Sequence, residues 1–275
     1  MTPAQALRHA AAVGVERLDA QLLLLHALGR PATDRAWLLA HDDEAMGPQA
    51  MQAFQSCCER RAAGEPLAYI VGSKEFFGLE LHVDARVLVP RPDTEAVVEW
   101  SLELIAGTTA PRVVDLGTGS GAIALAIAHR RPDAQVEAVD ASADALAVAS
   151  ENARRLSLQV RFTRGEWLSG FSGPYDLIVS NPPYVAEGDE HLPALRHEPL
   201  QALVAGADGL DDIRAIVGQA PRRLAANGWL LLEHGWDQAA AVRELLLAAG
   251  FADVGSRRDL AGIERCTGGR WLERG

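Results

Sequence analysis

Apolar residues recur at helical spacing in the first part of the chain. They stand three or four positions apart at Ala4, Leu7 and Ala11 and then at Leu18, Leu22 and Leu25. Gly-Arg-Pro at 29–31 and Gly-Pro at 47–48 interrupt the pattern. A helical period with such breaks predicts a small helical bundle over residues 1–64.

The pattern changes between residues 65 and 95. Short apolar and aromatic runs at 67–71, 75–83 and 86–89 are separated by glycine and proline. Runs of this length bounded by turn residues are typical of strands. We therefore predict a β-hairpin linker over 65–95.

From residue 96 onward, strand-like apolar runs alternate with helical patterns. Strands are predicted at 112–116, 136–140, 160–163, 176–180 and 229–233, with a final pair near 251–254 and 270–272. Helices are predicted at 122–130, 144–156, 211–226 and 238–249. This alternation predicts an α/β domain over 96–275. Its mainly parallel sheet would carry helices on both faces and a ligand site at the carboxyl ends of the strands.

Composition limits the class of protein. Apolar residues make up 48% of the 275 residues and charged residues 23%, which favours a folded globular chain over a disordered one. The longest apolar runs are too short to span a bilayer, and residues 1–12 do not resemble a signal peptide. We therefore expect a cytoplasmic protein with no membrane partner.

Charge and cysteine content narrow the picture further. The net charge of −11 opposes broad binding to a phosphate backbone, and residues 1–75 hold 7 basic and 9 acidic side chains. We expect no direct nucleic-acid partner. Cys57 and Cys58 are adjacent and Cys266 is an odd third cysteine, which predicts free thiols. No cysteine or histidine spacing indicates a metal site, so none is expected.

A glycine-rich segment lies at the predicted junction between strand 112–116 and helix 122–130. It comprises Gly117, Thr118, Gly119, Ser120 and Gly121. Glycines at such a junction let the backbone approach a ligand and present N–H groups at a helix N-terminus. The segment predicts a cofactor site, but it fits both a nicotinamide cofactor and S-adenosylmethionine.

Asp140 ends the next predicted strand. A carboxylate at this point can accept hydrogen bonds from both hydroxyls of a ribose, which either cofactor contains. Ser142 and Asp144 are better placed to cap the following helix. We therefore predict that Asp140 binds a ribose.

The tetrapeptide Asn181-Pro182-Pro183-Tyr184 follows strand 176–180 and discriminates between the two cofactors. Its two prolines lack N–H donors, so the carbonyls of Asn181 and Pro182 need not be used by a sheet or helix and can face a ligand. The Asn181 side chain adds an acceptor and Tyr184 an aromatic surface. This set suits a planar NH2 group, which a nicotinamide oxidoreductase would leave unexplained.

Together, the glycine-rich segment, Asp140 and the tetrapeptide resemble the class I S-adenosylmethionine-dependent methyltransferases that modify amino or amide nitrogens. Further segments are similar to those of the HemK/PrmC peptide-chain release factor glutamine methyltransferases, at 66–72, 75–79, 87–95, 198–199 and 206–212. The likeness covers essentially the whole chain. Asp93 and Glu166 depart from the residues usual in that family but keep the charge.

The resemblance implies a fold and a set of roles. A Rossmann-like methyltransferase domain would follow a helical bundle that docks the release factor, and residues 90–95 would close one side of the active site. Residues 117–121 would bind the methionine part of S-adenosylmethionine and Asp140 its ribose, while Glu166 and Trp167 would border the adenine. Asn181 would contact both cofactor and substrate.

The implied reaction is methyl transfer to the side-chain amide nitrogen (N5) of the glutamine in the Gly-Gly-Gln motif of class I release factors. Residues 181–184 would hold that glutamine, and the candidate catalytic residues are Asn181, Pro182 and Tyr184. The Asn181 side chain and the Pro182 carbonyl would accept hydrogen bonds from the amide. A glutamine methyltransferase of a ribosomal protein and an adenine or guanine methyltransferase of nucleic acid stay open as alternatives.

Overall fold

The computed structural model describes residues 1–272. The last three residues of the predicted domain 96–275 therefore lie outside the described part of the chain. Within that part the chain forms two compact units, Met1–Ser73 and a second that begins at Lys74.

The first unit consists of helices. They are α1 (Pro3–Ala12), α2 (Arg17–Ala27), α3 (Arg35–Ala40), α4 (Pro48–Ala62) and α5 (Leu67–Val71). Thr2 caps α1, because its hydroxyl accepts a hydrogen bond from the Gln5 N–H while the Gln5 side chain accepts one from the Thr2 N–H. The predicted helices are confirmed.

The buried face of these helices differs from the one that the sequence indicates. Leu18, which carries the apolar period in α2, is 50% exposed, whereas Leu23 and Leu24 are fully buried. In α1 the buried positions include Ala6 and Ala10. Alanine and leucine stand on several faces of both helices, so their spacing alone does not identify the packed one.

The expectation of a strand at 67–71 is wrong. Pro66, whose φ is restricted, stands before α5, and Gly72 ends the helix with a left-handed φ of +76°. Ile70 is buried in the core of the helical unit. The aromatic and β-branched residues of this run favour a strand, but packing against the other helices overrides that preference.

The hairpin forms immediately after α5, at residues 73–82. Strands β1 (Ser73–Phe76) and β2 (Leu79–His82) make a two-stranded sheet. Phe77 and Gly78 between them both have positive φ, at +52° and +82°, as a tight hairpin turn requires. The predicted strand at 86–89 is wrong, because the Val89 N–H donates to the Glu198 carboxylate and not to a neighbouring strand.

The remaining elements build an α/β domain. The helices are α6 (Glu95–Leu104), α7 (Ala122–Arg130), α8 (Ala143–Leu156), α9 (Asp211–Gln219) and α10 (Ala239–Ala248). The strands are β3 (Arg112–Leu116), β4 (Gln135–Asp140), β5 (Arg161–Arg164), β6 (Tyr175–Ser180), β7 (Leu224–Glu233), β8 (Ala252–Arg258) and β9 (Glu264–Arg270). Short 3-10 helices lie at Pro92–Thr94, Leu192–Leu195, Leu200–Ala202 and Ala220–Arg222.

Within the described residues the main sheet has the strand order β5-β4-β3-β6-β7-β9-β8. The pairs from β5 to β7 are parallel, and β9 pairs antiparallel with both β7 and β8. Side chains alternate between the two faces: Val113 joins the core beside α6 and α7, and Val114 joins the core beside α9 and α10. The predicted fold, a mainly parallel sheet with helices on both faces, is confirmed.

Two helices of this domain differ from the prediction, one in its length and one in that no helix was predicted there. Helix α9 ends at Gln219, well before the expected residue 226, because Pro221 cannot continue the helical hydrogen bonds and β7 begins at Leu224. Helix α6 has no counterpart among the predicted elements. It buries Val97, Val98 and Trp100 against the sheet.

Over residues 1–272, no helix is long and apolar enough to cross a membrane. The same part of the chain contains no group of three or more histidine, cysteine or acidic side chains that could hold a metal ion.

Candidate active site

The carboxyl ends of β4, β3 and β6 lie side by side at one edge of the sheet. The parallel register pairs Leu116 with Val139 and Ser180. The Ser180 hydroxyl also donates to the Leu116 carbonyl at 2.7 Å. The glycine-rich segment, Asp140 and Asn181 therefore begin from neighbouring strand ends, as the α/β topology predicts.

The glycine-rich segment links β3 to α7 in a left-handed backbone conformation. Gly117, Gly119 and Gly121 have φ values of +68°, +56° and +85°. A Cβ at Gly117 would lie 3.4 Å from the ring of Trp167, and one at Gly121 would lie 3.0 Å from Leu125. The segment therefore requires glycine for its conformation and, at Gly121, also for space.

The buried Asp115 carboxylate stabilises the glycine-rich segment through hydrogen bonds. Its Oδ2 accepts hydrogen bonds from the Thr118 hydroxyl at 2.6 Å and the Ala124 N–H at 3.2 Å, while no described residue pairs with its Oδ1. Burial raises the pKa of the Asp115 carboxyl to about 7. The sequence contains this aspartate at the start of the motif, but nothing in the pattern assigns it a role.

Asp140 is the carboxylate of the site. Its Oδ2 accepts from the Gly119 N–H and its Oδ1 from the Ser142 N–H, both at 2.9 Å. Each oxygen keeps a further lone pair for a ligand. Burial raises the pKa of the group. Asp140 thus shapes the glycine-rich segment as well as lining the cavity beside it.

Trp167 also lines the cavity. It follows β5 and has a positive φ of +49°. The neighbouring Leu168 N–H is fixed by the Gln219 side chain at 3.0 Å. Trp167 and Glu166 both line the cavity, with the ring of Trp167 against Gly117.

These groups surround one cavity of about 300 Å³. The predicted site residues at its surface are Gly117, Thr118, Gly119, Ser120, Asp140, Trp167, Asn181 and Pro183. Gly121 is not among them because it packs between α7 and α8. Pro182 is buried, and Tyr184 lies outside the lining as well.

Tyr184 is not among the residues that line the cavity, and its expected role as an aromatic wall of the ligand site stays a prediction. Its hydroxyl points to Glu233 Oε1 at 3.5 Å, and its carbonyl accepts from the Gln238 side chain at 3.0 Å. Burial raises the pKa of the Tyr184 phenol. The side chain therefore contacts the last residue of β7, and the backbone carbonyl is bonded by the residue that precedes α10.

Asn181 reaches the cavity with its side-chain amide fixed. Its Nδ2 donates to the Thr94 hydroxyl oxygen at 3.2 Å. No described residue donates to its Oδ1. The amide therefore presents an unused acceptor at the cavity.

Several cavity residues were not predicted individually. Arg91 and Thr94 come from the segment that follows the hairpin, and Pro199 and Gln201 come from the loop after the tetrapeptide. Glu198 joins the two segments, since its carboxylate accepts from the Val89 N–H at 3.0 Å and pairs with the Arg91 guanidinium. The motif resemblance at 87–95 and 198–199 is the sequence signal for these residues.

Comparison with known proteins agrees with this arrangement. A family model described as the methyltransferase small domain matches residues 100–241, and one described as the PrmC N-terminal domain matches residues 4–72. A release factor glutamine methyltransferase of Bordetella pertussis is 52% identical, covering 93% of this chain and 95% of that protein. One of Pseudomonas aeruginosa is 51% identical, covering 93% and 92%.

The chain belongs to the release factor glutamine methyltransferase family. The HemK/PrmC resemblance is thereby confirmed, and the chain is an S-adenosylmethionine-dependent methyltransferase. A solved structure of a T. thermophilus 16S rRNA methyltransferase in complex with S-adenosylmethionine shares the fold, with a TM-score of 0.56 at 20% identity, covering 72% of this chain and 49% of that one.

The cavity of this methyltransferase fits S-adenosylmethionine. Its glycine-rich segment lets a ligand approach the backbone at the start of α7, the Asp140 carboxylate suits a ribose, and the Trp167 ring suits a planar base. The glycines leave the space beside Trp167 that a Cβ would fill. The expectation of S-adenosylmethionine as the cofactor is confirmed, and the alternative of a nicotinamide cofactor is not supported.

Proposed function

We propose that this enzyme transfers a methyl group from S-adenosylmethionine to the side-chain amide nitrogen (N5) of the glutamine in the Gly-Gly-Gln motif of class I release factors. The names of the relatives, at 51–52% identity over most of the chain, support this substrate. The observation that carries the proposal is the amide of Asn181, which lines the cavity, is fixed through its Nδ2 and has an Oδ1 to which no described residue donates.

The substrate amide has two N–H bonds that need acceptors. Asn181 Oδ1 supplies one, and the Pro182 carbonyl, to which no described residue donates a hydrogen bond, supplies the other. Pro182 and Pro183 lack N–H donors, so this part of the chain cannot donate the N–H bonds of a regular sheet ladder, and the carbonyls of Asn181 and Pro182 need not be used in one. The pair selects a planar NH2 group and fixes its orientation.

Orientation is the main contribution that these residues make to the reaction. An amide nitrogen is a poor nucleophile because its lone pair is delocalised into the carbonyl. Two accepted hydrogen bonds favour a nitrogen with more localised electron density, and positioning of this kind can supply about 7–11 kcal/mol. S-adenosylmethionine, when bound, supplies the methyl group as an electrophilic sulfonium. The amide proton leaves after transfer, so the chain needs no strong base.

The remaining site residues take the roles that the cavity geometry supports. Residues 117–121 would surround the methionine part of the cofactor, Asp140 the ribose and Trp167 the adenine, with Asn181 between cofactor and substrate. Tyr184 would act from outside the cavity by anchoring the tetrapeptide. The helical unit, which matches the PrmC N-terminal domain model, would dock the release factor.

The net charge of −11 agrees with a protein substrate better than with a phosphate backbone. No nucleic-acid or membrane partner is proposed. Because release factors work in translation, the reaction would take place in the cytoplasm.

A transfer assay with tritiated S-adenosylmethionine tests the substrate. We expect label on a purified class I release factor and none on the same factor with the motif glutamine replaced by asparagine. A ribosomal protein fraction and ribosomal RNA serve as competing acceptors. Label on either of these, with none on the release factor, would contradict the proposal and favour the corresponding alternative.

The Asn181→Ala variant tests the site. Removing the Oδ1 acceptor should lower turnover on the release factor about 10²-fold or more, as expected for the loss of one orienting polar group. Isothermal titration should find cofactor affinity within about threefold of the wild type, since Asn181 is one of many cavity contacts. Wild-type turnover in this variant would contradict the role of Asn181 in orienting the substrate amide.

A further inference from the structure

The side chain of Gln238 connects segments near the site that are far apart in the sequence. Its Nε2 donates to the Tyr184 carbonyl at 3.0 Å and lies 3.3 Å from the carbonyl oxygen of Asp208 and 3.5 Å from that of Gly209. Its Oε1 accepts from the Gly235 N–H at 2.8 Å. Both ends of this one amide are therefore used, and its NH2 end faces the last residue of the tetrapeptide.

The segment 206–212, one of those that carry the family resemblance, packs against the same carbonyl. Its Gly209 is buried and has a left-handed φ of +71°. A Cβ at this position would lie 2.2 Å from the Tyr184 carbonyl oxygen and 2.8 Å from Gln238 Nε2. Both distances are too short for a real contact, so glycine is what allows the Gln238 amide and the Tyr184 carbonyl to meet here.

The main chain of the tetrapeptide has few other attachments. Its two prolines have no N–H groups to donate. Within residues 1–272, the main-chain hydrogen bond of residues 182–184 is the one that the Tyr184 carbonyl accepts from Gln238. Each proline ring also fixes one backbone dihedral, so the position of the Tyr184 carbonyl constrains that of the Pro182 carbonyl. Strand β6 thus holds one end of the tetrapeptide, and Gln238 holds the other.

We infer that Gln238 is a positioning residue, which holds the tetrapeptide at Tyr184 and thereby sets where the acceptors of Asn181 and Pro182 meet the substrate amide. This inference rests on the proposed function of those two acceptors. Gln238 and Gly209 do not line the cavity, so they act on turnover through the tetrapeptide. Its release would shift the acceptors relative to the methyl group, and a displacement of about 1 Å can cost about 10²-fold in rate.

Two substitutions of Gln238 separate its donor from its acceptor. Gln238→Met keeps a side chain of similar length but removes both hydrogen-bonding ends. Gln238→Glu keeps an oxygen for the Gly235 N–H, but an ionised carboxylate has no proton to donate to the Tyr184 carbonyl. Turnover number and KM for the release factor are measured in the full-length enzyme at about pH 8.5, where the carboxylate is ionised. Cofactor affinity and the thermal unfolding midpoint are measured for every variant.

Gly209→Ala tests the same contact from the other side, because its Cβ would displace the Tyr184 carbonyl. Gly262→Ala is the matched control. Gly262 also has a left-handed φ, of +82°, but nothing lies within 4 Å of its Cβ position, so the two variants share the backbone strain and differ in the clash. Leu246→Ala, at a fully buried position of α10, controls for a loss of stability alone.

We expect Gln238→Met, Gln238→Glu and Gly209→Ala each to lower kcat about tenfold or more, with KM for the release factor and Kd for S-adenosylmethionine changed less than about threefold. The double variant of Gln238→Met and Gly209→Ala should be no slower than the slower single variant, because both changes break the same contact. At a temperature where every variant is folded, Gly262→Ala and Leu246→Ala should keep kcat within about twofold of the wild type, although Leu246→Ala lowers the unfolding midpoint.

Wild-type kcat in Gln238→Met would overturn the inference. Wild-type kcat in Gln238→Glu would do so as well, because the acceptor for the Gly235 N–H would then be the end of the side chain that matters. Equal losses in Gly209→Ala and Gly262→Ala, or multiplicative effects in the double variant, would also contradict it. If the Gln238 variants do not fold, the two glycine variants decide the question.

The wild-type enzyme separates this inference from the proposed function. If it methylates the release factor glutamine and the Gln238 variants keep its kcat, only the positioning role fails. If the wild-type enzyme does not methylate the release factor, the proposed function fails and the inference fails with it.

Discussion

At the scale of single residues, Asp140 combines two tasks. Its oxygens accept the N–H groups of Gly119 and Ser142, and its remaining lone pairs face the cavity. We predict that Asp140→Ala weakens S-adenosylmethionine binding about tenfold or more, because hydrogen bonds to a charged group are worth about 1.5–3 kcal/mol. Isothermal titration measures the change in Kd.

Asp144→Ala is the matched control for Asp140. Asp144 is exposed in the first turn of α8, the helix that follows Asp140, and it does not line the cavity. Its Kd should stay within about twofold of the wild type. Equal weakening in the two variants would mean that Asp140 acts through general charge at the helix terminus and not through contact with the ribose.

The positions of Asp140, the glycine-rich segment and Asn181 follow from the sequence because each stands directly after a strand. Neighbouring parallel strands bring their carboxyl ends together, so a linear pattern becomes a spatial one. The environment of Tyr184 could not be inferred in this way. Its hydroxyl is directed by Glu233, which is 49 positions away in the sequence, and no local pattern encodes that contact.

At the scale of elements, Glu198 ties the segment after the hairpin to the loop after the tetrapeptide. Its side chain is 3% exposed and satisfies both the Val89 N–H and the Arg91 guanidinium. We predict that Glu198→Ala lowers the free energy of unfolding by about 1–3 kcal/mol, because it leaves a buried N–H and a charge without their acceptor. Urea denaturation followed by circular dichroism measures this.

Glu103 provides the comparison for Glu198. It also pairs with an arginine, Arg257, but its side chain is 58% exposed. Surface ion pairs contribute about 0–1 kcal/mol, so Glu103→Ala should change the unfolding free energy by about 0.5 kcal/mol or less. Similar losses in both variants would contradict the importance assigned to burial at Glu198.

The helical unit allows a direct test of its buried face. Leu24 and Leu18 both lie in α2, but Leu24 is fully buried and Leu18 is 50% exposed. We predict that Leu24→Ala destabilises the helical unit by about 2–5 kcal/mol, whereas Leu18→Ala changes its stability by about 0.5 kcal/mol or less. Urea midpoints of the two variants measure the difference. A larger loss of stability in Leu18→Ala than in Leu24→Ala would instead indicate that the packed face of α2 is the one suggested by the apolar period.

The degree of burial also explains which elements the sequence predicts well. Strands β3 and β6 are mostly buried and read as apolar runs, so they are predicted to within one residue of their ends, whereas β7 begins five residues before its predicted start. The helix at 67–71 has strand-like composition and forms because of its packing and its Pro66 and Gly72 boundaries. The strand at 86–89 is replaced by a hydrogen bond to a distant carboxylate, which local sequence cannot reveal.

At the scale of the whole molecule, alternation of strands and helices predicts the fold class, and the family resemblance predicts the enzyme class. The antiparallel placement of β9 between β7 and β8 does not follow from the alternation, because it depends on how the end of the chain pairs. The predicted limits of the bundle, linker and catalytic domain stay predictions. The structure assigns α5, inside the predicted linker, to the helical unit.

We propose that the site around Asn181 methylates the glutamine of a Gly-Gly-Gln motif. Mass spectrometry tests it most directly, on a purified class I release factor incubated with the enzyme and S-adenosylmethionine. Fragment ions of the peptide that contains the motif should locate one added methyl group on the glutamine side chain. An unmodified motif peptide, or a methyl group on another residue, from an enzyme whose cofactor binding is verified separately, would contradict the claim.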